Sequence, residues 1–169
     1  MAAIVVFRSR DLKKAAKMLP DSSERKWHNT LPEKRNELLE MMSGLNFKAV
    51  YTVVDKNNPV DHDYLYGNNL YSKVLRLVVS DAMRYISSSD VNVLLDRNGF
   101  ITSEEFRNIV LEEAAINNIN PLRIRTLSSE QNKCLQLVDF IAGASRSKYE
   151  HGDNTIDIIK EKVSFARRL

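Results

Sequence analysis

Short apolar runs alternate along the chain with longer segments whose apolar residues recur every three or four positions. The short runs are rich in Val, Ile and Leu and are bounded by turn-forming residues, which is typical of buried strands. Four strands are therefore predicted, near residues 2–7, 47–55, 91–96 and 123–128. Each is short enough to be a single strand of a compact sheet.

The longer segments predict helices between and after these strands. Two of them carry capping boxes, Thr30 with Glu33 and Thr102 with Glu105. The predicted helices cover residues 11–19, 30–44, 69–87 (with a start as early as 63), 102–119, a segment through 139 to about 149, and 155–164. Alternating strands and helices predict an α/β domain of three layers, with a mixed, mostly parallel sheet of about four strands flanked by helices.

Composition places the chain among ordinary globular proteins. It has 169 residues, of which 43% are hydrophobic and 28% are charged, so we expect one domain spanning residues 1–169. The single cysteine, Cys134, excludes an intrachain disulfide and favours the cytoplasm, and no apolar run has the length of a membrane span.

The formal charge of +3 is compatible with nucleic acid binding but does not require it. Basic residues crowd the first twenty positions, where Lys13, Lys14 and Lys17 fit the solvated face of a helix equally well.

Asp139 is the most informative single residue, because it interrupts the apolar helical run LQLVDFIAG. An unpaired buried carboxylate is costly, so a partner is expected. Helical spacing places Asp139 on one stripe with Gln136 and Gly143, and the flanking Ala142 and Gly143 leave room for another group to approach. A bond to a backbone amide, or to Arg146, is favoured over a role as metal ligand.

Asp96 and Asp55 follow predicted strands, where ligand sites of α/β sheets are found. Either could share a site with Asp139. Asp96 fits an Asx turn before Asn98 and Gly99 equally well.

Other motifs are weaker. Residues 98–106 match the second half of a calcium loop, but the first ligand position is Leu94, so a turn and a capped helix explain them better. The sequence Asp61-His62-Asp63 is interpreted as a polar loop, whereas Glu24, Lys26 and His28 alternate in a segment predicted to be extended. A phosphate-binding glycine loop, a nucleophile elbow and a paired-cysteine zinc site are absent, which excludes most cofactor enzymes.

Taken in order, several segments resemble one protein family. These are an ERK segment, a strand ending VVDK, the helix LYGNNLYSKVLRLVV, a strand ending LLDR, and LQLVDFIAGA followed by RSKYEHG. Together they resemble the domain of unknown function family 3800, whose members are similar to ribonuclease H in fold. The resemblance spans nearly all of residues 1–165, and LQLVDFIAGA is its most specific part.

The resemblance implies a carboxylate cluster that binds Mg²⁺ or Mn²⁺. Glu24 and Lys26 match the family's E-x-K segment, Asp96 its strand Asp, and Asp139 its helix Asp. It therefore implies a metal-dependent nuclease or phosphodiesterase, with Asp96, Asp139 and Glu24 as ligands and Lys26 or His28 neutralising phosphate. Two metal ions could clamp the attacking and leaving oxygens of a phosphodiester.

The chain departs from the family at its first strand. The family's D-E-S-G strand, which carries the first metal-bridging Asp, has no counterpart here, and MAAIVVF resembles the family's second strand. Either the gene start lies upstream or the protein is a shortened relative that has lost activity. The alternative function is a non-catalytic nucleic-acid-binding or regulatory domain of the same fold. Because a missing central strand exposes strand edges, we expect a homodimer through residues 2–7 or an aggregation-prone monomer.

Overall fold

The computed structural model describes residues 1–7, 9–19, 26–55, 67–87, 91–130 and 132–169. Within these ranges there are five strands, five α-helices and two 3₁₀ segments, at Trp27–Asn29 and Asn154–Lys162. In chain order the strands and α-helices are β1 (Ala2–Val6), α1 (Ser9–Met18), α2 (Pro32–Ser43), β2 (Phe47–Val53), α3 (Gly67–Met83), β3 (Val91–Asp96), α4 (Ser103–Ile116), β4 (Pro121–Leu127), α5 (Lys133–His151) and β5 (Val163–Arg168).

The strands form two hydrogen-bonded sheets. In the first, β2 lies between β1, which is antiparallel to it, and β5, which is parallel to it. The second is the parallel pair β3 and β4. The predicted α/β class and the four predicted strands are confirmed. The strands are divided between two sheets, however, and the larger sheet is half antiparallel.

Side-chain packing shows which helices cover the sheets. Ala49 and Tyr51 of β2 belong to a core cluster with Leu137 and Ile141 of α5, while Val50, on the other face of β2, packs against α3. Further residues of α3 and the buried face of α4 pack with the partly buried Val93 and Leu95 of β3. Helix α3 therefore contacts both sheets, and α5 contacts β1, β2 and β3.

Two local predictions were wrong. The hydroxyl of Thr30 donates to the carbonyl of Lys26 instead of capping a helix, and α2 begins at Pro32 after an uncapped Leu31. Proline suits this first position because its φ is already helical and its missing N–H has no helical partner there. The predicted final helix is a 3₁₀ segment followed by a strand that the prediction missed, β5.

The outer edge of β1 is open among the described residues. Met1 and Thr52 exchange both backbone hydrogen bonds, at 2.8 and 2.9 Å. In an antiparallel pair, residues that exchange such hydrogen bonds alternate with residues whose backbone groups point away from the partner strand. Because Met1 is a hydrogen-bonded residue, Ala2, Ile4 and Val6 direct their backbone N–H and C=O groups away from β2. The edge of β1 through which a homodimer was expected therefore has no strand partner among the described residues.

A buried ion pair attaches β5 to α3. The carboxylate of Asp81, which is 1% exposed, accepts two hydrogen bonds from Nη2 of Arg167 at 3.0 and 3.1 Å. Arg84 approaches the same carboxylate at 3.7 Å from a largely exposed position. Because an unpaired carboxylate is unfavourable in a core, the position of Arg167 in β5 is coupled to the packing of α3.

We expect Asp81→Ala to lower the free energy of unfolding by about 3–5 kcal/mol, since it leaves the Arg167 guanidinium without its main partner. The matched control is Arg84→Ala, which removes an exposed contact to the same carboxylate and should cost at most about 1 kcal/mol. Urea unfolding followed by circular dichroism measures both. Equal losses in the two variants would contradict the role given to the Asp81–Arg167 pair.

Candidate functional site

Asp139 lies on an exposed part of α5, and its carboxylate is held from a distant segment of the chain. Its Oδ2 accepts a hydrogen bond from the backbone N–H of Trp27 at 3.0 Å. The predicted backbone-amide partner is therefore confirmed, whereas the alternative, Arg146, is paired with Glu150. This hydrogen bond occupies Oδ2 of Asp139 and thereby fixes the orientation of the other oxygen, Oδ1.

The indole of Trp27 packs directly on the helix that carries Asp139. A Cβ built on Gly143 would lie 2.2 Å from Cγ of Trp27, which no side chain could tolerate. The Trp27 ring also meets Phe140 edge-on, with 6.1 Å between ring centroids. The space that the sequence leaves at Gly143 is thus filled by Trp27, and this contact places the Trp27 amide at Asp139.

The segment around Trp27 is fixed at several further points. Nε of Arg35 donates to the carbonyl of Trp27 at 2.9 Å, and its guanidinium lies 4.5 Å from the indole centroid. Lys26 and His28, which flank Trp27, are exposed. Residues 27–29 form a 3₁₀ turn rather than the predicted extended segment. Glu24, the other member of that predicted group, lies outside the described residues.

Asp96 ends β3 and fixes the loop that leads into α5. Its Oδ1 accepts a hydrogen bond from the backbone N–H of Ser129 at 2.8 Å. The following turn is closed by Asn98, whose Oδ1 accepts from the N–H of Phe100. Burial raises the pKa of the Tyr71 hydroxyl, and the negative charge of Asp96 raises this pKa further. Asp96 therefore keeps one oxygen available.

A short series of contacts connects the two carboxylates. The side-chain amide of the buried Gln136 donates to the carbonyl of Ser129, the residue whose N–H binds Asp96. Gln136 precedes Asp139 by three positions in α5, so both lie on one stripe of the helix. The carboxyl end of β3 is thereby attached to the stripe of α5 that carries Asp139.

Other sequence candidates have structural roles. Asp55 forms an ion pair with Arg168 at 2.7 Å, which attaches the end of β2 to β5. Glu105 completes the capping box with Thr102, as the sequence predicted, in place of a calcium site. The loop containing Asp61-His62-Asp63 is outside the described residues.

Three residues that were not predicted as members of the site contribute to this region: Ser129, Gln136 and Tyr71. Ser129 contributes through its backbone N–H and C=O groups, and the identity of a side chain does not indicate such contacts. Gln136 stood out as the polar residue one turn before Asp139, whereas no sequence pattern singled out Tyr71.

The chemistry of Asp96 and Asp139 suits a hard divalent cation in part. Each carboxylate has one oxygen fixed by a backbone N–H and one without a hydrogen-bond partner among the described residues. Such outer hydrogen bonds orient metal-ligating carboxylates. Within the same residues, however, no group of three or more His, Cys, Asp or Glu side chains is placed to hold a metal ion. Asp96 and Asp139 therefore belong to no larger donor group within the described residues.

Comparisons with known proteins return nothing. No protein-family model matches the chain, and no curated protein or solved structure was found to resemble it. None of the helices in the described ranges has both the length and the apolar character needed to cross a bilayer.

We expect Gly143→Ala to displace Trp27 and to cost about 1–3 kcal/mol of stability, because the new methyl group overlaps the indole. Trp27 is the only tryptophan, so its emission should shift to longer wavelength as the ring moves toward water. Gly44→Ala is the matched control, since its Cβ would meet only Met41 O at 3.6 Å. Unchanged Trp27 emission in the Gly143 variant would contradict this packing.

Proposed function

We propose that the protein is a divalent-metal-dependent phosphodiesterase of ribonuclease H-like fold, acting as a nuclease. The observation that carries the proposal is the connection of Asp96 to Asp139 through Ser129 and Gln136. This connection attaches the carboxyl end of β3 to α5, the helix that carries Asp139, and each of the two carboxylates has one oxygen oriented by a backbone N–H. Ligand sites in α/β sheets lie at such strand ends.

In this proposal Asp96 and Asp139 supply oxygen ligands to Mg²⁺ or Mn²⁺, with Glu24 as the third carboxylate. Hard oxygen donors are the ligands that these ions prefer, and a bound ion would stabilise the charge that develops on a phosphodiester during hydrolysis. Lys26 and His28, exposed on either side of the residue that binds Asp139, would attract phosphate. The backbone amides of Trp27 and Ser129 keep both carboxylates oriented.

The second candidate is a non-catalytic nucleic-acid-binding or regulatory domain of the same fold. It is favoured by the metal donors, since the described residues contain no group of three or more His, Cys, Asp or Glu side chains placed to hold a metal ion. Such a domain would keep the orienting contacts and the basic surface but would not hydrolyse its ligand. The single Cys134, half-buried and unpaired, fits a reducing cytoplasm in either case.

We expect the protein to bind Mn²⁺ or Mg²⁺ and to cleave single-stranded, duplex or hybrid nucleic acid only with the metal present. Asp96→Asn and Asp139→Asn should each lower the cleavage rate by about 100-fold or more, because each removes a charged ligand of the ion. Calorimetric titration with Mn²⁺ and gel assays of labelled oligonucleotides measure the two properties. Glu104→Gln, an exposed change in the first turn of α4, is the control and should retain both.

Absence of metal binding and of cleavage in the unmodified protein would exclude the phosphodiesterase and favour the non-catalytic domain. Full activity in Asp139→Asn would show that the proposed ligand set is wrong.

We also propose a homodimer through β1. Two antiparallel copies centred on Ile4 would align the outward backbone groups of Ala2, Ile4 and Val6 with those of the second copy. Such pairing would give hydrogen-bond partners to the backbone groups of a strand edge that otherwise favours aggregation.

We expect sedimentation equilibrium to show a dimer whose dissociation constant rises about tenfold in Ala2→Pro. Proline there removes one outward N–H without removing a bond to β2. The thermal midpoint at low concentration should change little. A monomer at all concentrations would contradict this mode of pairing.

A further inference from the structure

The turn after β3 is fixed by the side chain of one residue, Asn98. Its Oδ1 accepts a hydrogen bond from the backbone N–H of Phe100 at 2.9 Å. Its Nδ2 donates to the hydroxyl of Tyr71 at 2.7 Å and to the carbonyl of Asp96 at 3.1 Å. These three bonds need a carboxamide, since the nitrogen donates two of them and the oxygen accepts the third. The chemical state of Asn98 therefore decides how the end of β3 is held.

The bond to Phe100 folds the Asn98 side chain back over the main chain. A side-chain oxygen that meets the N–H two residues further on closes a ring with the intervening backbone, as in an Asx turn. The backbone nitrogen of Gly99 belongs to that ring, and the side-chain carbonyl carbon of Asn98, Cγ, is turned towards it. The turn thus holds a nucleophilic nitrogen close to an electrophilic carbon, and their encounter requires no second molecule.

Two further features favour attack on Cγ. Gly99 is exposed, and a Cβ built on it would meet no atom of the described residues within 4 Å, so its nitrogen is not shielded by a side chain. When a nucleophile adds to Cγ, negative charge develops on Oδ1, and the N–H of Phe100 lies 2.9 Å from this atom. A backbone donor at that distance stabilises an oxyanion.

We propose that Asn98 is a site of spontaneous deamidation, carried out by the backbone of Gly99. The Gly99 nitrogen gives its proton to solvent and forms a bond to Cγ of Asn98. The bond between Cγ and Nδ2 breaks, and Nδ2 takes up a proton and leaves as ammonia, which produces a cyclic succinimide. Water then opens the ring at either carbonyl group and gives aspartate or isoaspartate at position 98. Water is the only co-reactant, and no atom is oxidised or reduced.

Other asparagines of the described chain are less well placed for this reaction. Nδ2 of Asn117 donates to the carbonyl of Glu113 at 2.8 Å, so the side chain is turned back along α4 and away from the residue that follows. Asn108 lies within α4, where the N–H of the next residue, Ile109, is engaged in the helix and is flanked by a branched side chain. Both residues serve as internal references for Asn98.

The reaction changes the end of β3 in charge and in geometry. Aspartate has an oxygen in place of Nδ2, which can accept from the Tyr71 hydroxyl but cannot donate to the carbonyl of Asp96. It also places a negative charge two positions after Asp96, a carboxylate of the candidate site. Isoaspartate adds a methylene group to the main chain and so separates Phe100 from the turn. Because Asn98 anchors Tyr71, either product loosens the stack of Phe100 on Tyr71, whose ring centroids are 5.3 Å apart.

The test is incubation of the full, folded chain at neutral pH, followed by digestion and mass spectrometry. We expect the peptide that contains Asn98 and Gly99 to gain the mass difference between an amide NH₂ and a hydroxyl group. Ammonia should be released in equal amount, and enzymatic methylation should detect isoaspartate. The peptides with Asn108 and Asn117 should react at least about tenfold more slowly, because their geometry is not arranged for attack.

Gly99→Ala is the matched variant for the nucleophile. Its methyl group has open space around it, so the thermal midpoint should be unchanged, while the approach of the nitrogen to Cγ is hindered and the reaction should slow by about tenfold. Asn98→Asp carries the aspartate product from the start. It should lower the thermal midpoint by about 2–4 °C, the shift expected for loss of one hydrogen bond in a domain of this size.

The proposal is overturned if Asn98 stays intact for the time in which a synthetic peptide of residues 94–102 is converted, since the folded turn would then protect the side chain. An unchanged rate in Gly99→Ala would exclude the Gly99 nitrogen as the nucleophile. An unchanged thermal midpoint in Asn98→Asp would contradict the structural consequence. These measurements need neither metal nor hydrolysis of a phosphodiester, so their outcome is independent of the proposed function.

Discussion

Side-chain packing on α3 and α5, rather than backbone hydrogen bonding between strands, holds the two sheets together. Within the described residues, β1, β2 and β5 pair with one another and β3 pairs with β4, but no ladder joins the two groups. Instead, residues of α3 contribute to the clusters on both sheets, and α5 contacts strands of both. The placement of Asp96 in one sheet relative to Asp139 therefore depends on how these helices pack, and on the bonds that Ser129 makes to Asp96 and Gln136.

Much of the fold could be predicted because its signals are local. The strand at residues 2–6 is a continuous apolar run, and the strand at 91–96 alternates between buried and exposed positions. Helix α4 begins at a capping box, Thr102 with Glu105, that can be recognised in the sequence. Strand β5 was not predicted, because its sequence, VSFARR, is not a continuous apolar run. It becomes a strand because β2 offers a parallel partner and Asp81 offers a buried counter-ion to Arg167. Thr30 failed as a helix cap because the carbonyl of Lys26 competes for its hydroxyl.

The candidate site was visible in the sequence only in its charged members. Asp96 and Asp139 stand out since each interrupts an apolar segment, and a charge in such a place needs a reason. Their partners are backbone amides of Trp27 and Ser129, and an amide carries no sequence signal. The closest signal was Gly143, whose lack of a side chain indicated that another group approaches α5; that group is Trp27. Which group it is depends on tertiary packing, which local patterns do not encode.

The position of β5 has a consequence for the order in which the chain folds. Its contacts to Asp81 and Asp55 span 86 and 113 residues, whereas β1 and β2 are separated by little more than α1 and α2. Closing such long loops is slow relative to local pairing, so the β1–β2 pair and α3 can assemble while the far edge of β2 is still unpaired. In any state that lacks β5, Asp81 has no counter-ion from Arg167, so burial of the inner surface of α3 is complete only when β5 pairs with β2.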